Sequence, residues 1–403
     1  MLSSTVSQIP ANVPGHLVRD FNMYDRMKGD GDYQGWFAGI HEQGYPDLFW
    51  SPANGGHWVV TRGHMLNDVL TNPELFSSRV LIVPVDRMLS PAPVPITLDP
   101  PDHGKYRVIL NPYFSPKAVG PLGDKAADLT NKLIDSFLTS GKCEFMHQVA
   151  YQLPIAIFME MAGLPTNDRE KLLALVEEMI RPTNVDSTAA GAGLSDYARD
   201  VVRQRRANPG DDLISKLAQD KVDGAVLTED ELTGLTMLLF LGGLDTVAAV
   251  LGFTVNYLAR HPQKRRELIQ NPERIPKAVE ELLRRFPVST LARIVARDEE
   301  FHGVQLREGD MVVVPTMAHG LDSKEFEDPT AVDFDRSVRF QGAFGNGAHR
   351  CLGSMLARVE LQAFLRVWLA RIPDFRVKPG VELTVDRGNV SALHDLPLEW
   401  DLT

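Results

Sequence analysis

The chain has 403 residues, 44% apolar and 24% charged, the proportions of an ordinary globular protein with material for a large core. A formal net charge of −11 argues against a general nucleic-acid binder and against docking to an anionic membrane surface, since both need a cationic face. Two cysteines, Cys143 and Cys351, cannot build a disulfide framework and point to a reducing, cytoplasmic setting.

Residues 1–17 (MLSSTVSQIPANVPGHL) have no basic stretch leading into an apolar run, so they do not read as a secretory leader. Residues 1–45 read as an extended start, broken by Pro10, Pro14 and several glycines, with a short helix near Tyr33–Gln43. His57–Thr61 reads as a strand and Gly63–Thr71 as a helix, giving a hairpin or small sheet near the N-terminus. Residues 79–101 (RVLIVPVDRMLSPAPVPITLDPP) carry six prolines among aliphatics, which suits neither helix nor strand. They form a surface loop or, given their apolar content, a lid over a pocket. The stretch ends at Asp99-Pro100-Pro101-Asp102-His103, a helix start with His103 and Arg107 one turn apart.

Pro116 to Ala218 is helical in pattern, interrupted at Gly141, Pro165, Pro182 and Pro209, and Gly191-Ala192-Gly193 suggests a mobile connection. Thr228-Glu229-Asp230-Glu231 resembles a capping box. It opens an apolar run, Leu235 to Val255, long enough to span a bilayer. Asp245 at its midpoint would cost about 3 kcal/mol in lipid, and no basic flank precedes it. The run therefore reads as a helix buried through the centre of a protein, with no membrane partner. Pro276–Phe286 is a further helix. Strands follow at 293–296, 301–306 and 311–315. Residues 322–343 are irregular, and 375–403 alternate as short strands. No repeat, low-complexity tract or linker is present, and the fold class is mainly α with small β-sheets.

Three groups carry chemistry. Gly242-Gly243-Leu244-Asp245-Thr246 sets two glycines, an acid and an alcohol inside a helix, where each glycine costs about 1 kcal/mol relative to alanine. Thr246 can bond back to the Gly242 carbonyl and open the helix there. Glu281 and Arg284 stand one turn apart, ordinarily a surface pair of little weight. Phe344-Gly345-Asn346-Gly347-Ala348-His349-Arg350-Cys351-Leu352-Gly353 is a glycine-loosened loop that delivers Cys351 to the start of a helix. The helix dipole there is expected to lower the thiol pKa. Zinc is disfavoured because no second ligand lies at metal spacing. Haem-ligand, redox and structural roles remain open from these residues alone.

The order of these groups resembles the cytochrome P-450 superfamily across essentially the whole chain, and so implies one domain over 1–403 with the cytochrome P-450 fold. Gly-Gly-Leu-Asp-Thr, Phe301-His302-Gly303-Val304-Gln305-Leu306 and Arg371-Ile372-Pro373-Asp374-Phe375 are similar to the bacterial camphor-hydroxylating branch. The resemblance implies that Cys351 is the axial metal ligand of haem b, with Phe344 packed beside it. Asp245 and Thr246 would be the catalytic proton-delivery pair, with Arg181 holding Asp245. His103, Arg107, Arg293 and His349 would bind the haem propionates. Glu281, Arg284 and Arg336 would form a structural ion network. A substrate pocket would be built from Leu81, Ile82, Ile96, Leu238, Leu241, Ser289, Leu291 and Val390.

Two departures from the branch bear on the substrate. Leu291 stands where the camphor enzyme has an acid near a propionate. The lid stretch Ser90–Ile96 lacks the tyrosine that holds camphor's ketone. The resemblance thus implies an O₂-activating haem-thiolate monooxygenase that hydroxylates a small apolar molecule, a terpenoid or norisoprenoid ketone of the ionone kind rather than camphor. A non-catalytic haem-thiolate sensor would not need the acid–alcohol pair. A peroxide-driven oxygenase would place an arginine that Leu241–Val247 does not contain. Implied partners are a [2Fe–2S] ferredoxin and an FAD-containing ferredoxin reductase using NADH. They would dock on a basic patch of Lys105, Arg107, Arg350, Arg358 and Arg366, and the protein would be monomeric.

Overall fold

The computed structural model describes residues 7–84, 89–181 and 188–402. Residues 85–88 of the expected lid and the expected break at Pro182 lie outside them. The principal helices, in chain order, are α1 (Asp102–Leu110), α2 (Leu122–Asp135), α3 (Gln152–Ala162), α4 (Arg169–Ile180) and α5 (Thr188–Ala207). They continue with α6 (Glu229–Gly243), α7 (Thr246–Arg260), α8 (Ile275–Arg285) and α9 (Ser354–Arg371).

One five-stranded sheet unites the two ends of the chain. Its strands are β1 (Leu48–Ser51), β2 (His57–Val60), β3 (Phe76–Ser77), β4 (Thr290–Val295) and β5 (Met311–Pro315), in the order β1-β2-β5-β4-β3. β1 and β2 form the expected hairpin, with Trp50 opposite Trp58. β2 then runs parallel to β5, and β5 antiparallel to β4. Trp58, Val59 and Val60 are wholly buried, as a strand covered on both faces requires.

The single strand expected over 301–306 is instead a hairpin of Glu299–Phe301 and Val304–Leu306. His302 and Gly303 turn it with φ of 49° and 78°, and His302 is tied to Asp68 at 2.7 Å. Gly191 and Gly193 are not a connection but lie inside α5. A Cβ at Gly191 would meet Leu89 Cδ2 at 2.6 Å, and one at Gly193 would meet Leu175 Cδ2 at 3.0 Å. These glycines let the lid stretch and α4 approach α5 closely.

The capping box at Thr228 is complete: its hydroxyl accepts from the Glu231 N–H at 3.2 Å, and Glu231 accepts from the Thr228 N–H at 2.6 Å. The apolar segment beyond it is not one helix. It breaks at Leu244-Asp245 between α6 and α7. Glu229–Arg260 is long and apolar enough to cross a membrane, but 72% of its most apolar window is buried inside the protein. The lid stretch is seated directly on this core. Ser195 Oγ donates to the Ser90 carbonyl at 2.9 Å, and a Cβ at Gly234 would lie 2.4 Å from the Ala92 carbonyl.

Candidate active site

The cysteine loop is held from two sides. Gly345 and Gly347 have φ of 66° and 67°, a region costly for side chains with a Cβ. A Cβ at Gly347 would also lie 2.4 Å from the Leu70 carbonyl, so the helix over Gly63–Thr71 admits only glycine there. Asn346 Nδ2 donates to Asn67 Oδ1 at 3.0 Å, and the Cys351 N–H donates to the Phe344 carbonyl at 2.9 Å. Cys351 thus stands two residues before Gly353, the N-cap of α9. Arg358 lies over the Phe344 ring, 4.6 Å from its centroid, and its fork is held by Glu280 at 2.5 and 2.9 Å.

The expected fall in the Cys351 pKa does not occur in the protein alone. The side chain is exposed in the protein alone, yet the protein crowded around it raises its pKa against the Gly353 N–H bond and the charges of Arg107, Arg358 and Arg350, which all act to lower it. Desolvation of a thiolate is larger than the pull of one helix start. A metal coordinated at this sulfur would supply the deprotonation that the loop alone does not.

Beside the cysteine, four cationic or imidazole side chains converge. The His103 and His349 rings lie 4.1 Å apart. Burial and the neighbouring arginines depress both, to about 4 for His103 and about 3 for His349. Arg293 is 6% exposed, and burial lowers its pKa to about 10 against the pull of Asp99. Arg107 is likewise lowered by burial, with Cys351 acting in the opposite sense. Asp99 is already bonded to Ser77 Oγ at 2.5 Å and to the Ser78 N–H at 2.7 Å. His349 Nε2 is buried with no partner among the described residues. Two arginine charges, short of carboxylates, beside an imidazole with one unpartnered nitrogen, form a receptor for a dianion.

Across the cleft, Thr246 Oγ1 donates to the Gly242 carbonyl at 2.9 Å, and the helix opens at that point. Asp245 and Arg181, 2% and 6% exposed, form a two-pronged pair with both N···O distances 2.7 Å. Arg181 also donates to the Val390 carbonyl at 3.2 Å. Burial opposes the Arg181 charge, but Asp245 outweighs it and holds the guanidinium pKa above its ordinary value. The two glycines serve different ends. A Cβ at Gly243 would strike Phe158 at 2.7 Å, whereas one at Gly242 would meet nothing within 4 Å. Gly243 permits close packing against α3, and Gly242 opens the helix surface to the cleft.

The cleft has about 880 Å³ of empty space, counting the part open to solvent, and all eight residues expected to form a pocket line it. Leu81, Ile82 and Ile96 come from the lid, Leu238 and Leu241 from α6, Ser289 and Leu291 from the start of β4, and Val390 from the C-terminal region. Thr246 lines it as well. A Cβ at Gly345 would lie 3.8 Å from Leu291 Cδ1, so the cleft abuts the cysteine loop.

The family model described as Cytochrome P450 matches residues 168–397. The "Probable cytochrome P450 127A1" of Sinorhizobium fredii is 36% identical over 402 residues, 97% of each chain. The chain belongs to the cytochrome P450 family. The crystal structure of CYP101J2 has 37% identity and a TM-score of 0.90, covering 98% of this chain and 100% of that one. The "Steroid C26-monooxygenase" of Mycolicibacterium smegmatis is 32% identical over 341 residues, 82% of this chain and 84% of that protein. The helix-rich architecture is therefore the P450 fold, and the protein is an oxidoreductase of the P450 monooxygenase family.

P450s carry haem b on an axial cysteine thiolate, and the residues here fit that group. Cys351 supplies the sulfur, with the Gly353 N–H bonded to it. The cation-rich cluster of Arg107, Arg293, His103 and His349 matches the two propionates in charge.

The Glu281–Arg284 pair is no surface ornament in this P450. Arg284 is fully buried and meets both Glu281 oxygens at 2.8 Å. Its remaining donors reach the carbonyls of Gly320, Pro329 and Ala331 at 2.6–2.9 Å. Glu281 Oε1 also accepts from Arg336 Nε at 3.2 Å and from the Asp333 N–H at 2.9 Å. The network pins the irregular segment that leads into the cysteine loop.

The basic patch is thinner than its composition suggests. Lys105 is paired with Asp102 and Asp223, both at 2.9 Å, and Arg358 with Glu280. Arg350 and Arg366 are exposed and have no acidic partner among the described residues. Pocket residues that the sequence did not single out include Met179, Ile180, Thr290 and Asn389. Each adjoins a position already marked: Met179 and Ile180 precede Arg181, Thr290 sits between Ser289 and Leu291, and Asn389 precedes Val390. Adjacency to a motif was the available signal.

Proposed function

We propose that this P450 hydroxylates a small apolar molecule, a terpenoid or norisoprenoid ketone of the ionone kind rather than camphor. The observation that carries the reading is the cleft lining: a ring of aliphatic side chains, with no tyrosine contributed by the lid. A spectral titration of the haem-loaded enzyme with ionones, camphor and a steroid tests the reading. Ionones are expected to give the largest low-to-high-spin Soret shift. A steroid binding tightly while ionones give no shift would sink it.

The haem, when bound, supplies oxygen activation and the oxidising equivalent for C–H hydroxylation. The chain supplies binding, dryness and protons. The aliphatic cleft desolvates the substrate and excludes water from the reacting side. Thr246 Oγ1 holds a proton at the cleft wall, directed at the Gly242 carbonyl. Asp245, the preceding residue, is held by Arg181 and passes protons inward from solvent when that pair opens. A sensor would have no use for this arrangement. Thr246→Ala is expected to keep NADH consumption within a few-fold while hydrogen peroxide replaces most of the product. Unchanged product per NADH would remove Thr246 from proton delivery.

The electron donors in this reading are a [2Fe–2S] ferredoxin and its FAD reductase, in the cytoplasm, with the whole of 1–403 acting as one monomeric unit. Arg350 and Arg366 on the Cys351 side support the docking face, and association there would weaken with salt.

A further inference from the structure

The hydrogen bonds of the polar groups in the cleft can be followed one at a time. Thr97 Oγ1 donates to the Pro93 carbonyl at 2.8 Å, and Thr246 Oγ1 to the Gly242 carbonyl at 2.9 Å. Each hydroxyl proton is spent, and each offers a ligand only lone pairs. Asn389 Oδ1 lies 3.1 Å from the Tyr24 hydroxyl, whose proton goes to the nearer Val83 carbonyl at 2.7 Å, and one Nδ2 hydrogen donates to the Leu81 carbonyl at 3.4 Å.

The hydroxyls of Thr290 and Ser289 both lack a partner among the described residues, and Ser289 is the more open of the two. Its carbonyl accepts both the N–H and the hydroxyl of Thr316, at 2.9 and 2.7 Å, and its backbone bridges to Val390. The main chain is thus fixed on two sides. Its side chain lines the cleft, and its hydroxyl has no partner among the described residues. Strand alternation puts Ser289 on the face of Leu291. Both are partly exposed, whereas Thr290 between them is 7% exposed. The Ser289 hydroxyl is not among the buried unpaired atoms, so it is open to solvent in the cleft, and an apolar ligand that displaces that water must offer an acceptor in its place. A donor carried on a fixed strand also loses little freedom when it binds.

We infer that Ser289 is the specificity-determining anchor of the cleft, donating its hydroxyl proton to a single carbonyl oxygen on an otherwise hydrocarbon substrate. The inference rests on the apolar-substrate reading above and narrows it. The aliphatic wall fixes the size of the molecule, and Ser289 demands one acceptor. A hydrocarbon lacking the carbonyl leaves the hydroxyl unpaired, and a ligand with several polar groups leaves the others unmatched against leucine and isoleucine.

The test is an equilibrium titration of the haem-loaded enzyme, followed by the Soret spin shift. The ligands are β-ionone and the analogue with its carbonyl replaced by a methylene. Wild type is expected to bind the ketone more tightly. Ser289→Ala should weaken the ketone about tenfold and leave the hydrocarbon unchanged. Ser289→Thr and Ser289→Val, alike in shape but differing by the hydroxyl, should reproduce the same contrast if the alanine variant does not fold. Equal weakening of both ligands, or of neither, overturns the anchor while leaving the apolar-substrate reading standing. Failure of wild type to bind either ligand overturns both.

Discussion

Asp245→Asn is expected to lower the rate of product formation by about 10²-fold, the scale of a lost proton-transfer group, with substrate affinity nearly unchanged. Asparagine keeps the shape of the side chain and one oxygen for Arg181. It loses the charge that matches a guanidinium only 6% exposed, whose other acidic neighbour, Glu177, is 3.8 Å away and half exposed. It also loses the capacity to take up and release a proton. Asp245 does not line the cleft, so the dissociation constant of the substrate should stay within about twofold. Turnover with NADH and the donor proteins, measured in H₂O and D₂O, checks this. A larger solvent isotope effect in the variant is expected. An unchanged rate and isotope effect would reduce the Asp245–Arg181 pair to a helix brace.

Arg284→Lys should destabilise the fold by about 3–5 kcal/mol, the cost of breaking a buried ion pair, although it conserves charge. Arg284 uses its whole fork: two contacts to Glu281 and three to the carbonyls of Gly320, Pro329 and Ala331. A lysine presents three donors at one point and cannot span these acceptors. Glu281→Gln should cost a comparable amount, because it leaves both Arg284 and Arg336 without their shared counter-charge. Chemical denaturation and the yield of haem-loaded protein report the effect. The segment that the network pins leads to Cys351, so haem retention should fall with stability. Wild-type denaturation midpoints in both variants would show that backbone packing alone holds that segment.

Much of the site is legible in the chain because its signals are local. The capping box at Thr228, the helix opening at Thr246 and the glycine-loosened cysteine loop each depend on residues within a turn or two. They survive translation from sequence to structure almost unaltered. The eight pocket positions were reachable only through the family resemblance, since aliphatic residues at such spacings look the same in any core. Local reasoning failed where distant atoms decide. Gly191 and Gly193 looked like a flexible joint, but their missing side chains make room for Leu89 and Leu175. Residues 301–306 looked like one strand, and there the missed signal was local: His302 and Gly303, at φ of 49° and 78°, turn the chain into a hairpin.

The sequence by itself determined a mainly α chain with a cysteine loop, a proton-bearing acid–alcohol pair in a buried helix, and through these its resemblance to the P450s. Tertiary structure alone decided the electrostatics. Glu281–Arg284 reads as a weak surface pair by spacing and becomes a buried network only when the 320–336 segment folds over it. Cys351 reads as an acidified thiol at a helix start, yet the protein crowded around its exposed side chain raises its pKa. Dipoles and spacings are written along the chain. Desolvation depends on what the rest of the chain places around a group, and at Cys351 it outweighs them.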